Sequence, residues 1–257
     1  MSLKVPGSRG GAWAKARCDV VEVGEAVINP GEVVRKALDS AVGKGLELQQ
    51  PTVEAYLRRA RQRHLDATPA EVLTSLEHQY VASVVTLGAG AGASAAIPGI
   101  GTTAGILLNI AEVGAFIEAS ALFSLAVSEV HGVHVNDLER RRTLLLSILM
   151  GDGGSEIVEK MAGRTGSYWA KSLANKIPMT TIKAVNKVLG PRFVTRYGTK
   201  QGVLVLGRDL PFGIGAAIGA GGNLALARVT IAGARRAFGP PPVAWPASGT
   251  VTIERES

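Results

Sequence analysis

Cysteine occurs once in the 257 residues, at position 18, so no disulfide can form within the chain. Aromatic residues are scarce too, 5% of a chain that is 46% hydrophobic. The apolar mass therefore comes from small aliphatic residues, and with 32 glycines it favours close backbone approach over bulky core filling. Such a content excludes a mostly disordered chain. No GxxxxGK[ST] loop and no GxSxG elbow occurs, which removes P-loop chemistry and the α/β-hydrolase nucleophile. The opening residues also lack the basic, apolar and small-residue regions of a secretory leader, which predicts a cytoplasmic N-terminus.

Charge is missing from two long stretches. Residues 81–111 are 31 consecutive positions without a charged side chain, more than the about 20 that cross a bilayer as a helix. Pro98 and Gly99 interrupt the run at its middle, so two half-length arms are as compatible with it as one span. Residues 210–227 are a second uncharged run. The formal charge of +7 is gathered elsewhere: residues 156–208 hold ten Lys or Arg against two acids. A basic segment of this kind seeks phospholipid headgroups or nucleic acid, or simply forms a solvated helix face.

Local signals between the runs are helical, and the fold class they predict is all-α. Asn29, Pro30 and Glu32 open a helix that Gly43 and Gly45 are expected to close, and Pro51 opens a second to about residue 64. Thr68, Pro69 and Glu71 form a capping box before a third helix that runs into the first uncharged stretch. One short strand is expected between residues 19 and 28. A helix over 105–129 carries Gly105, Asn109, Glu112, Ser120, Ser124 and Ser128 on one stripe. Asn136 with Glu139 starts the next helix, and Gly151 stops it. Basic helices follow, with breaks at Gly163, Gly166, Pro178 and Gly190. The resulting division is an N-terminal region at 1–65, a helical domain at 66–239 and a proline-rich mobile tail at 240–257.

Within the uncharged runs one pattern is written twice. GIGTTAGILLN at 99–109 and GIGAAIGAGGN at 213–223 share GIGxxxGxxxN. Residues four apart lie on one helix face, so Gly101, Gly105 and Asn109 make a shallow groove ended by an amide, as do Gly215, Gly219 and Asn223. Each interior glycine costs about 0.8–1 kcal/mol relative to alanine, which backbone contact in the groove would offset. The two segments are therefore expected to pack together, with both asparagines buried and hydrogen-bonded. GIGTTA also fits a variant of the dinucleotide fingerprint, but no β-branched strand precedes it, which argues against a nucleotide.

Other candidates are thinner. His131 and His134, with Asp137 and Glu139 near, lack a second ligand cluster, so no metal or cofactor is expected. Glu112 and Glu118 are six apart and off one helix face, a poor catalytic pair. Glu112 stands out as an ionisable residue beside Asn109 in an apolar segment. Tyr168 and Trp169 in the basic region suit packing, a membrane interface or base stacking.

The order of features over about residues 70–238 resembles the EcsC family of bacterial proteins. The likeness rests on PGIG in the first uncharged run around Pro98 and Gly101, then HGV, ND and ERRR, then LPFGIGAAIGAGGNLALARVTIAGARRAF with Pro211, Gly215, Gly219 and Asn223. It implies a membrane-associated helical protein, named from a gene accompanying an ABC transporter operon, and carries no catalytic residues. Basic flanks at 58–63, 140–142, 156–208, 228 and 235–236 put both ends of each uncharged run on the cytoplasmic side, as hairpins or paired crossings. The expectation is a non-enzymatic protein held on anionic phospholipid at the inner membrane, with Lys171, Lys176, Lys183 and Lys187 as membrane or anion contacts and a transporter as a possible partner class. A soluble helical nucleic-acid binder using 156–208, and a lipid-handling protein or enzyme using Glu112, are the less favoured readings.

Overall fold

The computed structural model describes residues 21–23, 26–28, 30–47, 50–61, 66–94, 102–163, 168–208 and 214–246, with side chains outside 21–35, 37, 50, 61, 92, 94, 102–110, 196–208, 214–216 and 218. Among them a small antiparallel hairpin, β1 (Val21–Val23) and β2 (Ala26–Ile28), pairs Val21 with Ile28. Everything else regular is helix, and the fold is all-α: α1 (Pro30–Leu46), α2 (Gln50–Arg61), α3 (Pro69–Ser94), α4 (Thr102–Val130), α5 (Leu138–Met150), α6 (Asp152–Met161), α7 (Ala170–Asn175), α8 (Met179–Arg208) and α9 (Ile214–Phe238).

The capping box forms: the Thr68 N–H donates to Glu71 Oε2 at 2.8 Å, and the Glu71 N–H donates to Thr68 Oγ1 at 3.3 Å. Asp137 rather than Asn136 caps α5, accepting from the Arg140 N–H at 3.1 Å. Gly151, at φ +62°, ends α5 in a backbone conformation that L side chains rarely adopt. Two expected breaks are absent. α1 runs through Gly43 and Gly45 because the second glycine lets it lie against α4; a Cβ there would stand 2.9 Å from the Ala121 Cβ. α8 runs through Gly190 and Pro191. Pro191 is on the exposed face, where water can meet the carbonyl it leaves unbonded.

The helices share one core, and that corrects the division of the chain. Leu38, Val42, Val53 and Leu57 of α1 and α2 are buried in the same cluster as Leu76, Phe116, Phe123, Ile148 and Leu189, so no domain boundary falls near residue 65 for these helices. The tail is corrected as well, as far as it is described. The Trp245 indole Nε1–H donates to the Ala67 carbonyl at 3.2 Å. Pro246 lies so close over Gly132 that a Cβ there would be 2.7 Å away. Residues 240–246 are thus docked across the turn after α4.

Candidate functional site

α3 and α9 pack antiparallel. Near one end, the Arg235 guanidinium grips Glu77 with two hydrogen bonds, at 2.8 and 2.6 Å. Towards the other, Gly88 faces Gly219, and a Cβ on Gly88 would stand 2.7 Å from Asn223 Nδ2 and closer still to the Gly219 carbonyl oxygen. This register brings the C-terminal half of α3 and the N-terminal half of α9, both inside the uncharged runs, to one end of the bundle.

At that end lies a buried polar junction. Asn223 is fully buried, and its Nδ2 donates to the Val84 carbonyl of α3 at 2.8 Å and to Glu112 Oε1 of α4 at 3.1 Å. Glu112 is 6% exposed, so a carboxylate and an amide meet where three helices join and the packing is otherwise apolar. Of the remaining residues in the repeat, Gly101 and the side chain of Asn109 lie outside the described residues, while Gly105 and Gly215 are placed only as members of α4 and α9. What is described of the second groove, Gly219 and Asn223, faces α3 and Glu112. Sequence reasoning missed Gly88 and Val84 as partners, although Gly88 and Gly92 repeat the four-residue spacing of Gly215 and Gly219.

The outer surface of this end is small and uncharged. Ala82, Ser83, Thr86, Gly90 and Ala93 of α3, Ala111 of α4, and Ala217, Gly221 and Ala225 of α9 are all exposed. A Cβ added at Gly90 or Gly221 would meet nothing within 4 Å. One helical stretch among the described residues, Ala111–Val130, is long and apolar enough to cross a membrane, yet 61% of it is buried inside the fold. Its serine stripe is internal: Ser120, Ser124 and Ser128 are buried, and Ser120 Oγ is 2.7 Å from the Tyr80 hydroxyl.

The basic residues divide into two groups. Several that flank the uncharged runs in sequence are engaged within the fold. Arg140 donates to the carbonyls of Leu173 and Ile177, which cap the turn after α7, and Arg141 donates to those of Val135 and Leu46. Arg236 pairs with Asp152 and Glu159, as Arg235 does with Glu77. Lys171, Lys176, Lys183 and Lys187 are all exposed. They belong to α7, the turn after it and the start of α8, beside the Glu77–Arg235 end, since Tyr168 packs on Gly239 just after α9. From Lys187 to Arg208, α8 rises about 30 Å. The lysines and the uncharged end, joined in one membrane face by the sequence reading, therefore lie at opposite ends of the bundle.

The remaining candidates separate cleanly. His131 Nδ1–H donates to the Val127 carbonyl at 2.9 Å while its ring stacks on Phe238, and His134 Nδ1 is 3.0 Å from Glu129 Oε2. No group of three potential metal ligands occurs among the described residues. Glu118 is exposed while Glu112 is buried, so the two are not a pair. Trp169 is fully buried and Tyr168 is 49% exposed. Cys18 lies outside the described residues. Comparison of the chain with protein-family models, with curated proteins and with solved structures finds no match.

Proposed function

We propose that this is a non-enzymatic membrane-associated protein of the EcsC type, resting on the cytoplasmic face of the inner membrane through the uncharged end of its bundle and serving transport or secretion as an accessory. The observation that carries the reading is the antiparallel register of α3 and α9, with Glu77 on Arg235 and Gly88 on Gly219. That register gathers both uncharged runs at one end and leaves the ion pairs at the other. Glycine contacts of the zipper kind let the helices meet without side chains between them, which suits an apolar surrounding.

Gly90→Asp and Gly221→Asp test the reading without disturbing the core, because both positions open to empty space. Each substitution puts a carboxylate on the surface that would enter the bilayer, at about 2.5 kcal/mol or more if it is buried there. The double variant is expected to remain in the supernatant when mixed with phosphatidylglycerol vesicles, while the wild type floats with them and needs detergent for release. Equal flotation of the two proteins, or a wild type that never floats, overturns the reading.

A further inference from the structure

Residues 170–208 contain eight Lys or Arg and no acid. In the described part of this segment, Lys171, Lys176, Lys183 and Lys187 are exposed, and none of their ammonium groups takes part in a hydrogen bond or ion pair. Arg140, Arg141, Arg235 and Arg236, by contrast, are each held by carbonyls or carboxylates. Lys44, Arg58, Arg59, Lys160 and Arg228 are exposed and unheld as well, and what sets residues 170–208 apart is that no acid accompanies their basic residues. Lys187 lies about 30 Å along α8 from the uncharged end. At physiological ionic strength charges are screened over about 8 Å, so a bilayer at that end would not be felt here.

Three residues before Lys171 an aromatic ring is held open. Tyr168 is half exposed, whereas the adjacent Trp169 is fully buried and fixes the backbone. Gly239, at φ +84°, lies over the ring: a Cβ there would be 2.7, 2.7 and 2.8 Å from Cδ1, Cγ and Cδ2. Near-equal approach to three ring atoms means that one face of the ring is covered by backbone, leaving the other for a partner. A cavity of about 490 Å³, lined by Tyr168, Glu77, Arg235 and Pro241 among others, opens beside it. Unpaired lysines on the segment that follows a fixed, half-exposed aromatic ring supply the elements of a single-strand platform, where phosphates meet ammonium groups and a base stacks on the ring. A duplex hides its base faces and a headgroup has none, so the ring selects for an unpaired base.

We propose that the surface of Tyr168, Lys171, Lys176, Lys183 and Lys187 binds single-stranded nucleic acid, with phosphates on the lysines and a base on the Tyr168 ring. The probe is fluorescein-labelled dodecathymidylate, followed by anisotropy between 50 and 200 mM KCl with the full chain. Four lost phosphate contacts should flatten the plot of log affinity against log salt by about 3 when the lysines are changed together to glutamine. Tyr168→Leu should weaken binding about fivefold or more, and Tyr168→Phe, which keeps the ring, should restore it. Thermal unfolding of each variant shows that the fold survives. Absence of binding at 50 mM salt, an unchanged salt slope, Tyr168→Leu binding as tightly as wild type, or tighter binding of a 12-base-pair duplex each overturns the proposal. So does a lysine variant that loses flotation with phosphatidylglycerol vesicles but keeps its oligonucleotide affinity, since the anion would then be a headgroup.

Discussion

The Asn223 amide of α9 donates to the Glu112 carboxylate of α4 at 3.1 Å, across 111 residues of chain. The same nitrogen donates to the Val84 carbonyl of α3 at 2.8 Å, so one side chain joins the two uncharged segments to a third helix. Asn223→Ala would leave a buried carboxylate without this donor, at about 1–3 kcal/mol. Glu112→Gln in the same background should recover part of that loss, because a neutral amide is cheaper to leave short of a donor than a carboxylate. Urea unfolding of the two single variants and the double measures the coupling. Losses that add within about 0.3 kcal/mol would mean that the contact carries no stability.

Glycines in the same helix should respond in opposite directions. A Cβ on Gly88 would collide with the Gly219 backbone, so Gly88→Ala should destabilise by about 1–3 kcal/mol through overpacking. Gly90, two residues on, opens to empty space, and Gly90→Ala should stabilise by about 0.5–1 kcal/mol through helix propensity. Denaturant midpoints of the two variants provide the check; a shared sign would show that α3 does not meet α9 through Gly88.

The basic side chains should separate in the same way. Arg140 satisfies carbonyls of Leu173 and Ile177 at the end of α7, so Arg140→Met should cost about 1–3 kcal/mol. Lys183→Gln and Lys187→Gln, on exposed positions without partners, should stay within about 0.5 kcal/mol of wild type. Thermal unfolding distinguishes the two classes, and a stable Arg140→Met would return that arginine to the free surface.

What was legible in the sequence was local. The Thr68–Glu71 box and the stop at Gly151 depend on residues within a turn of each other, and α3 starts and α5 ends where these signals place them. The interruption expected at Pro98 lies outside the described residues. Gly45 was misread as a helix end because glycine serves both as a terminator and as a close-contact site, and only the Ala121 Cβ of α4 decides between them. The repeat marked Asn223 as a residue in need of a partner, and it has two, Val84 and Glu112, while the side chains of the first copy lie outside the described residues. Which helix fills the Gly219 groove depends on the register of α3 and α9, set by Glu77 and Arg235, 158 residues apart. The run Arg140–Arg142 looked like a membrane flank because composition does not reveal that two of its guanidiniums are turned onto carbonyls. Tyr168 and Trp169 were equivalent in sequence and are opposite in burial, since only one of the pair faces the core.

Alkaline pH should loosen the core through two tyrosines. Tyr80 stacks on Phe123 with ring centroids 4.6 Å apart, and burial pushes its hydroxyl up to about 12 from the usual 10, against the opposing effect of its hydrogen bond to Ser120. Tyr56 is likewise raised to about 12, by burial first and by Tyr80 second. Both groups hold their protons more tightly folded than unfolded. Their contribution is therefore fully present below pH 10 and is lost as pH rises from 10 through 12, at about 1.4 kcal/mol per pH unit for each fully shifted tyrosine. Tyr80→Phe should lower stability by about 1 kcal/mol at neutral pH, through the lost bond to Ser120, and should roughly halve the tyrosine-dependent slope above pH 10. Urea midpoints at pH 8, 10 and 11 for the wild type and the variant separate the two effects. Parallel pH profiles would show that Tyr80 ionises freely in the folded protein and is not the sealed ring that its stacking on Phe123 indicates.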